Sequence, residues 1–229
     1  MLVKKPRFKK KSLKDTKRIV HFKTLFGDQK GTNIFNYGTN FLNKFKPSLY
    51  KGKNTFLIDI RKSFYESPLS ISLVFNRKIK NKLFEDIAFE TRLKFEKKTI
   101  IITAFQGKRE SLEAIKEFEK IVRMPIANYI ILEIESQAKK MGYKKIKINN
   151  PKNLESYSYP YIDDSLRYRG KTLLKKHREG ILNETEKKEL QKYREIEKKR
   201  IQKRIKKMYF EVAKKLGYKY DGKYYTKTF

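Results

Sequence analysis

A chain of 229 residues and 27.6 kDa is long enough to bury a core, and one or two domains is the natural division. A formal charge of +33, from 58 Lys and Arg against 25 Asp and Glu, implies attraction to polyanions, nucleic acid ahead of a phospholipid surface; a solvated lysine-rich exterior is the alternative. The absence of cysteine excludes disulfides and thiolate metal sites, His21 and His177 lack ligand spacing, and no apolar run reaches the roughly 18 residues of a membrane span.

The chain opens on "MLVKKPRFKKKSLK", basic but without the apolar stretch of a secretory signal, so a cytoplasmic protein is expected. Residues 1–18 are expected to form a flexible basic arm, with Lys9, Lys10 and Lys11 as candidate phosphate contacts. Residues 19–229 are expected to form a single α/β domain, with a basic connector and helical insertion at about 151–207. Apolar spacing in the stretch after Ile19 suits two short helices broken near Gly27 and Gly31.

"PLSISLVF" and "IAFETRLKF" alternate with period two, as half-buried strands do. A short link, Glu96-Lys97-Lys98, leads into "TIIITAF", apolar almost throughout, which predicts an antiparallel meander entering a more buried central strand. After Gly107, Leu112, Ile115, Phe118 and Val122 recur at helical spacing. Pro125 then suits the first turn of a second helix carrying Ile126, Tyr129, Ile130, Ile134 and Ala138, stopped at Gly142. Glu133 and Glu135 are expected on its surface. "YKKIKI" is a strand, and Asp221-Gly222 between "YKY" and "KYYTKTF" is a hairpin turn.

"AKKMGYK" at 138–144 and "AKKLGYK" at 213–219 each read as a helix end, a glycine at positive φ and a strand start. Before the second copy, Asn183 with Glu186 resembles a cap pair opening a long amphipathic helix. Its stripe runs Leu190, Tyr193, Ile196, Ile201, Ile205, Met208, Val212, Leu216, and Lys203, Arg204 and Lys207 are candidate phosphate contacts. In "SYSYPYIDDSLRYRGK", Tyr157, Tyr159, Tyr161 and Tyr168 stand with Arg167 and Arg169, a mixture that suits unpaired bases and phosphates; packing of the connector on the sheet is the alternative.

Gln106-Gly107 closes the buried strand where ligands settle in open α/β sheets, with a glycine for close approach and helix-start N–H groups nearby. An ordinary turn glycine and strand-end cap explain the same residues. The order of elements resembles the Gcn5-related N-acetyltransferase family over about 68–150 and 208–229. "PIANYIILEIESQAKKMGYKKIKI" looks like its coenzyme-binding helix and following strand, and "MYFEVAKKLGYKYDGKYYTKTF" like its closing helix and strands. "PLSISLVF", "IIITAFQG" and "MPIANYIILEIESQAKKMG" together also resemble VirK/YbjX-type bacterial proteins.

The resemblance implies a mixed, largely antiparallel sheet flanked by helices, with a long charged helix near the C-terminus. It implies acyl-coenzyme A held by Gln106, Gly107, Ile126, Ala127 and Asn128. The family's tyrosine acid would fall at Ala213, so Tyr209, one turn earlier, is the candidate acid by a different route or one more aromatic of the apolar stripe. The activity implied is acyl transfer; the charge of +33 would then select a polyanion such as RNA as substrate, or an RNA-borne donor, and no metal is expected. Aligned without gaps, however, Val122, Pro125 and Ala127 fall on the coenzyme signature and only Ala127 agrees, while Pro125 has no N–H. The alternative is a non-catalytic nucleic-acid- or ribosome-binding protein on a degenerate fold of that kind.

Overall fold

The computed structural model describes residues 38, 41, 44–62, 69–79, 82–154, 157 and 162–229. The arm at 1–18 and the helices expected near Gly27 and Gly31 lie outside the described residues. Among the described residues eight strands form one sheet: β1 (Ser48–Lys51), β2 (Thr55–Lys62), β3 (Leu69–Ile79), β4 (Lys82–Glu96), β5 (Thr99–Gly107), β6 (Lys145–Asn149), β7 (Lys219–Tyr220) and β8 (Tyr224–Thr228). Their order is β1-β2-β3-β4-β5-β6-β8-β7, and the β5–β6 pair is parallel while the other neighbours are antiparallel. The architecture is therefore α/β, with a mixed, mostly antiparallel sheet flanked by helices and a long charged helix near the C-terminus.

The alternating segment of β4 is half-buried as its spacing requires, whereas β3 is buried on both faces, Ser70, Ser72 and Val74 included. Leu69, Ile71 and Leu73 of β3 and Leu93 and Phe95 of β4 are buried, and Ile100, Ile101 and Ile102 of central β5 are buried in succession. Helices α1 (Leu112–Val122) and α2 (Ile126–Lys140) supply Phe118, Ile130, Ile131 and Ile134 to the same core. Leu112, counted on the apolar face by its spacing, is the first residue of α1 and is 52% exposed. At the β1–β2 turn, Asn54 donates its backbone N–H and its Nδ2 to the Glu117 carboxylate of α1, at 2.7 and 2.5 Å, pinning the sheet edge.

The two matching heptapeptides end α2 and α4 (Glu184–Lys215) identically. Gly142 and Gly217 take φ of +82° and +75°, and the tyrosine N–H after each reaches back to an alanine carbonyl, Tyr143 to Ala138 at 3.0 Å and Tyr218 to Ala213 at 2.9 Å. That is the left-handed helix stop that glycine permits without steric cost. Both tyrosines are then buried, and burial raises the Tyr143 phenol to about 12.

A helix absent from the sequence reading, α3 (Arg169–Arg178), pairs with the first half of α4. Leu166, Leu173, Leu174 and Leu190 make a small hydrophobic cluster separate from the main one. The Asn183–Glu186 capping box is present, and Arg194 clamps Asp163 through two hydrogen bonds of 3.0 Å. The 32-residue α4 thus joins a helical hairpin at its start to the sheet at its end, where Tyr209, Val212 and Ala213 enter the main core.

The Asp221 carboxylate accepts from the Lys223 and Tyr224 N–H groups and the Thr226 hydroxyl, and these bonds, Tyr224 first, hold its pKa down to about 2. A depressed carboxyl stabilises above its ordinary range, near ~4, and loses that contribution as pH falls through the folded value. Amide exchange at Lys223 and Tyr224 should accordingly rise, relative to that at Ile102, as pH is lowered from about 4 to 2. A constant ratio across that window would deny the turn its carboxylate.

Candidate functional site

Strand β5 leaves its parallel partner early. Pairing with β6 runs only from Thr99↔Lys145 to Ile102↔Ile148, and the β4 register shifts between Leu93 and Arg92, so that Thr103 is the extra residue of a bulge in β5. Such a bulge re-aims a strand and leaves backbone groups without ladder partners. Side chains meet them here. Phe105 donates its N–H to the Tyr209 hydroxyl at 3.1 Å, and Asn149 Nδ2 lies 3.5 Å from the Thr103 carbonyl oxygen.

Tyr209, the candidate acid, is 1% exposed, and its ring stacks on Phe105 at 4.1 Å between centres and 18° between planes. Burial, the largest cause, pushes the phenol well above its usual range. A proton donor works best with a pKa near the working pH, so this environment suits a packing and anchoring phenol better than an acid. The splay that would receive a ligand is filled by this side chain.

Of the other expected coenzyme contacts, Gly107 and the start of α2 are packed within the chain. Gly107 pairs with Phe89, and a Cβ there would lie 2.8 Å from Ile115 Cδ1, so the glycine admits α1 against the strand end. Gln106 is exposed opposite Glu90. At the start of α2, Ile126, Ala127 and Asn128 are buried, Pro125 is the N-cap, and the Ile126 N–H donates to the Glu119 carboxylate at 2.9 Å. A helix N-terminus attracts an anion. This one already has its own.

Glu135 corrects the expectation of a surface acid. It is 5% exposed, and its Oε2 accepts from Lys227 Nζ of β8 at 2.7 Å; the same ammonium reaches the Leu216 carbonyl at 2.9 Å. The Tyr218 hydroxyl is buried beside that carboxylate without a hydrogen bond of normal geometry, and burial first, then Glu135, raises its pKa. Removing one partner of a buried ion pair strands the other charge. Lys227→Met should therefore cost about 3 kcal/mol in urea denaturation, the low end of the range for buried pairs because Lys227 keeps some solvent contact. A midpoint equal to the wild type's would show that the pair contributes nothing.

Among the expected phosphate contacts, Arg167, Lys203 and Arg204 are exposed and form no ion pair among the described residues. Arg169 is held by Glu189 and lies 3.9 Å from Glu186, and Lys207 lies 3.6 Å from Glu211. Lys9, Lys10 and Lys11 lie outside the described residues. Residues 198–207, "KKRIQKRIKK", hold seven cations and no acid on a helix of fixed geometry. Arg200 bonds to buried Glu197, while Lys199, Lys203, Arg204 and Lys206 face solvent unpaired among the described residues. Ile196, counted on the apolar stripe, is 54% exposed and belongs to this outer surface.

Tyr157 is half-buried, with its carbonyl taken by Gln202 Nε2 at 2.8 Å, and Tyr159 and Tyr161 lie outside the described residues. Tyr168 stands 89% exposed at φ 45° and ψ −122°, a backbone state that L residues seldom adopt. One feature went unread in the sequence. The loop after β6 and the turn between β7 and β8 enclose a polar cleft of about 460 Å³, lined by Asn149, Asn150, Asn153, Tyr220 and Tyr224 among others. Its signal was the asparagine-rich "NNPKN" directly after a strand.

Among the described residues no group of three or more His, Cys, Asp or Glu is placed to hold a metal, and no helix is long and apolar enough to cross a membrane. Family models, curated proteins and solved structures give no match to the chain.

Proposed function

We propose that the chain is a non-catalytic nucleic-acid-binding protein, with single-stranded RNA favoured over DNA, built on a sheet of acetyltransferase-like element order. The observation that carries this reading is the ridge of unpaired cations at Lys199, Lys203, Arg204 and Lys206, held in register on α4. Fixed cations release counterions from a phosphate backbone on binding, and the net charge of +33 adds long-range attraction. Unpaired bases are the partner for exposed Tyr168 beside Arg167, because a splayed base can stack on an aromatic face.

Acyl transfer on or near RNA is the second reading, favoured by the parallel β5–β6 pair that parts after Ile102 and by a strand N–H directed into the gap. Against it stand the Tyr209 plug, the Glu119 cap and the N-cap Pro125. Calorimetric titration of acetyl-coenzyme A into the full chain is expected to give no binding heat, while single-stranded RNA is retained in a shift assay. Saturable heat from the coenzyme, with no RNA retention, would reverse the order of the two readings.

A further inference from the structure

The cleft beside β6 is built by its own hydrogen bonds. Asn150 accepts from the Lys152 N–H at 3.0 Å through Oδ1 and donates through Nδ2 to the Tyr220 hydroxyl at 3.0 Å. The Tyr220 hydroxyl donates in turn to the Gly222 carbonyl at 2.6 Å, so loop and turn are locked across the opening. Asn153 Nδ2 lies 3.4 Å from Asn149 Oδ1, which leaves an exposed side-chain amide with spare donor and acceptor capacity at the rim.

The lining combines three chemistries. Tyr224 offers an aromatic face on β8, directly opposite Asn149 in the ladder. The Lys223 ammonium of the lining lies 5.5 Å from the centre of that ring, Lys147, outside the lining and 3.8 Å from Glu96, lies 4.9 Å from it, and Lys152 adds an exposed cation from the loop. The Asp221 carboxylate of the same turn is directed into the turn's own N–H groups and Thr226. A volume of about 460 Å³ lies within the ~300–1,000 Å³ of small-ligand sites.

We propose that this cleft binds one unpaired nucleotide of an RNA strand, its base against Tyr224 and the Asn153 amide and its phosphate between Lys152 and Lys223. Amides supply donor and acceptor together, as a base edge requires, and an aromatic face accepts any base. The lysines match the phosphate that a sugar or neutral peptide lacks. The assignment rests on the nucleic-acid reading and adds a second contact, remote in sequence from the α4 ridge.

Two measurements on the full chain test it. In the first, adenosine 5′-monophosphate is titrated while the Asn150 and Asn153 side-chain amide resonances are followed. They are expected to shift saturably, and inorganic phosphate at equal concentration is expected to leave them in place. In the second, single-stranded RNA affinity is measured over a salt series for wild type, Tyr224→Leu and Lys223→Ala. Tyr224→Leu should bind about 10-fold more weakly with the salt slope unchanged, since stacking releases no counterions. Lys223→Ala, on an exposed turn, should lower the slope by about 0.7.

Failure of the nucleotide to shift the amides, or unchanged RNA affinity in both variants, overturns the cleft and leaves the α4 ridge standing. Equal shifts with inorganic phosphate overturn the base contact. Nucleotide shifts in a protein that retains no RNA overturn the nucleic-acid reading, and with it the RNA strand in the cleft, leaving a site for a free nucleotide.

Discussion

Tyr209→Ala should lower the unfolding free energy by about 3–5 kcal/mol, the range for truncating a large buried aromatic. The ring is lost from its 4.1 Å stack on Phe105, and the Phe105 N–H loses the oxygen that meets it where β5 leaves β6. Tyr209→Phe separates these effects. It keeps the stack and should cost about 1–3 kcal/mol, the penalty of leaving one buried donor without a partner. Urea denaturation followed by far-ultraviolet circular dichroism gives both values, and amide exchange at Phe105 should accelerate in both variants. If Tyr209→Phe matches the wild type in both readouts, the hydroxyl is not the anchor of the strand end.

Replacing Lys203, Arg204 and Lys206 together by glutamine should lower the salt slope of single-stranded RNA binding by about 2, at roughly 0.7 counterions per phosphate contact. At 0.15 M salt the same arithmetic gives an affinity loss of about 50-fold. The three side chains are exposed and unpaired among the described residues, so the fold should hold to within about 0.5 kcal/mol. An unchanged slope in the folded triple variant would remove α4 from the interface. A change confined to Lys207→Gln would be small by comparison, because Glu211 already shares that charge.

What the sequence disclosed follows from how local each signal is. Alternation in "PLSISLVF" and the continuous run in "TIIITAF" each mark a strand locally, so β3 and β5 were legible, although the burial of Ser70, Ser72 and Val74 on the second face of β3 was not. The positive-φ glycines at 142 and 217 were legible for the same reason, since a helix stop is settled within a few residues. Strands β1 and β2 were not. β1 has four residues of alternating half exposure, and the Gly52-Lys53-Asn54 turn resembles the lysine-rich background. Helix α3 offers Leu173 and Leu174 among six basic or histidine residues of "RGKTLLKKHR", and its apolar face emerges only when Leu190 packs on it.

The site depended on longer-range facts. Tyr209 was visible as one residue near an apolar stripe, but its meeting with Phe105 spans 104 residues. Glu135 looked like a surface acid because its partner Lys227 lies 92 positions away. The cleft needs Asn150 and Tyr220 to meet across 70 residues, which no window on either segment reports. The departure of Pro125 from the coenzyme signature was readable directly, because the missing N–H is a property of the residue itself. Its structural counterpart, the Glu119 carboxylate on Ile126, required the fold.

The central claim, that RNA lies along the cation ridge of α4, is tested most directly by amine-reactive labelling of the full chain with and without single-stranded RNA, read lysine by lysine by mass spectrometry. The account predicts protection of Lys199, Lys203 and Lys206, with Lys116 of α1, exposed and paired with Glu113, labelled equally in both samples. Equal labelling of the α4 lysines with and without RNA, or protection no greater than that of Lys116, would contradict it.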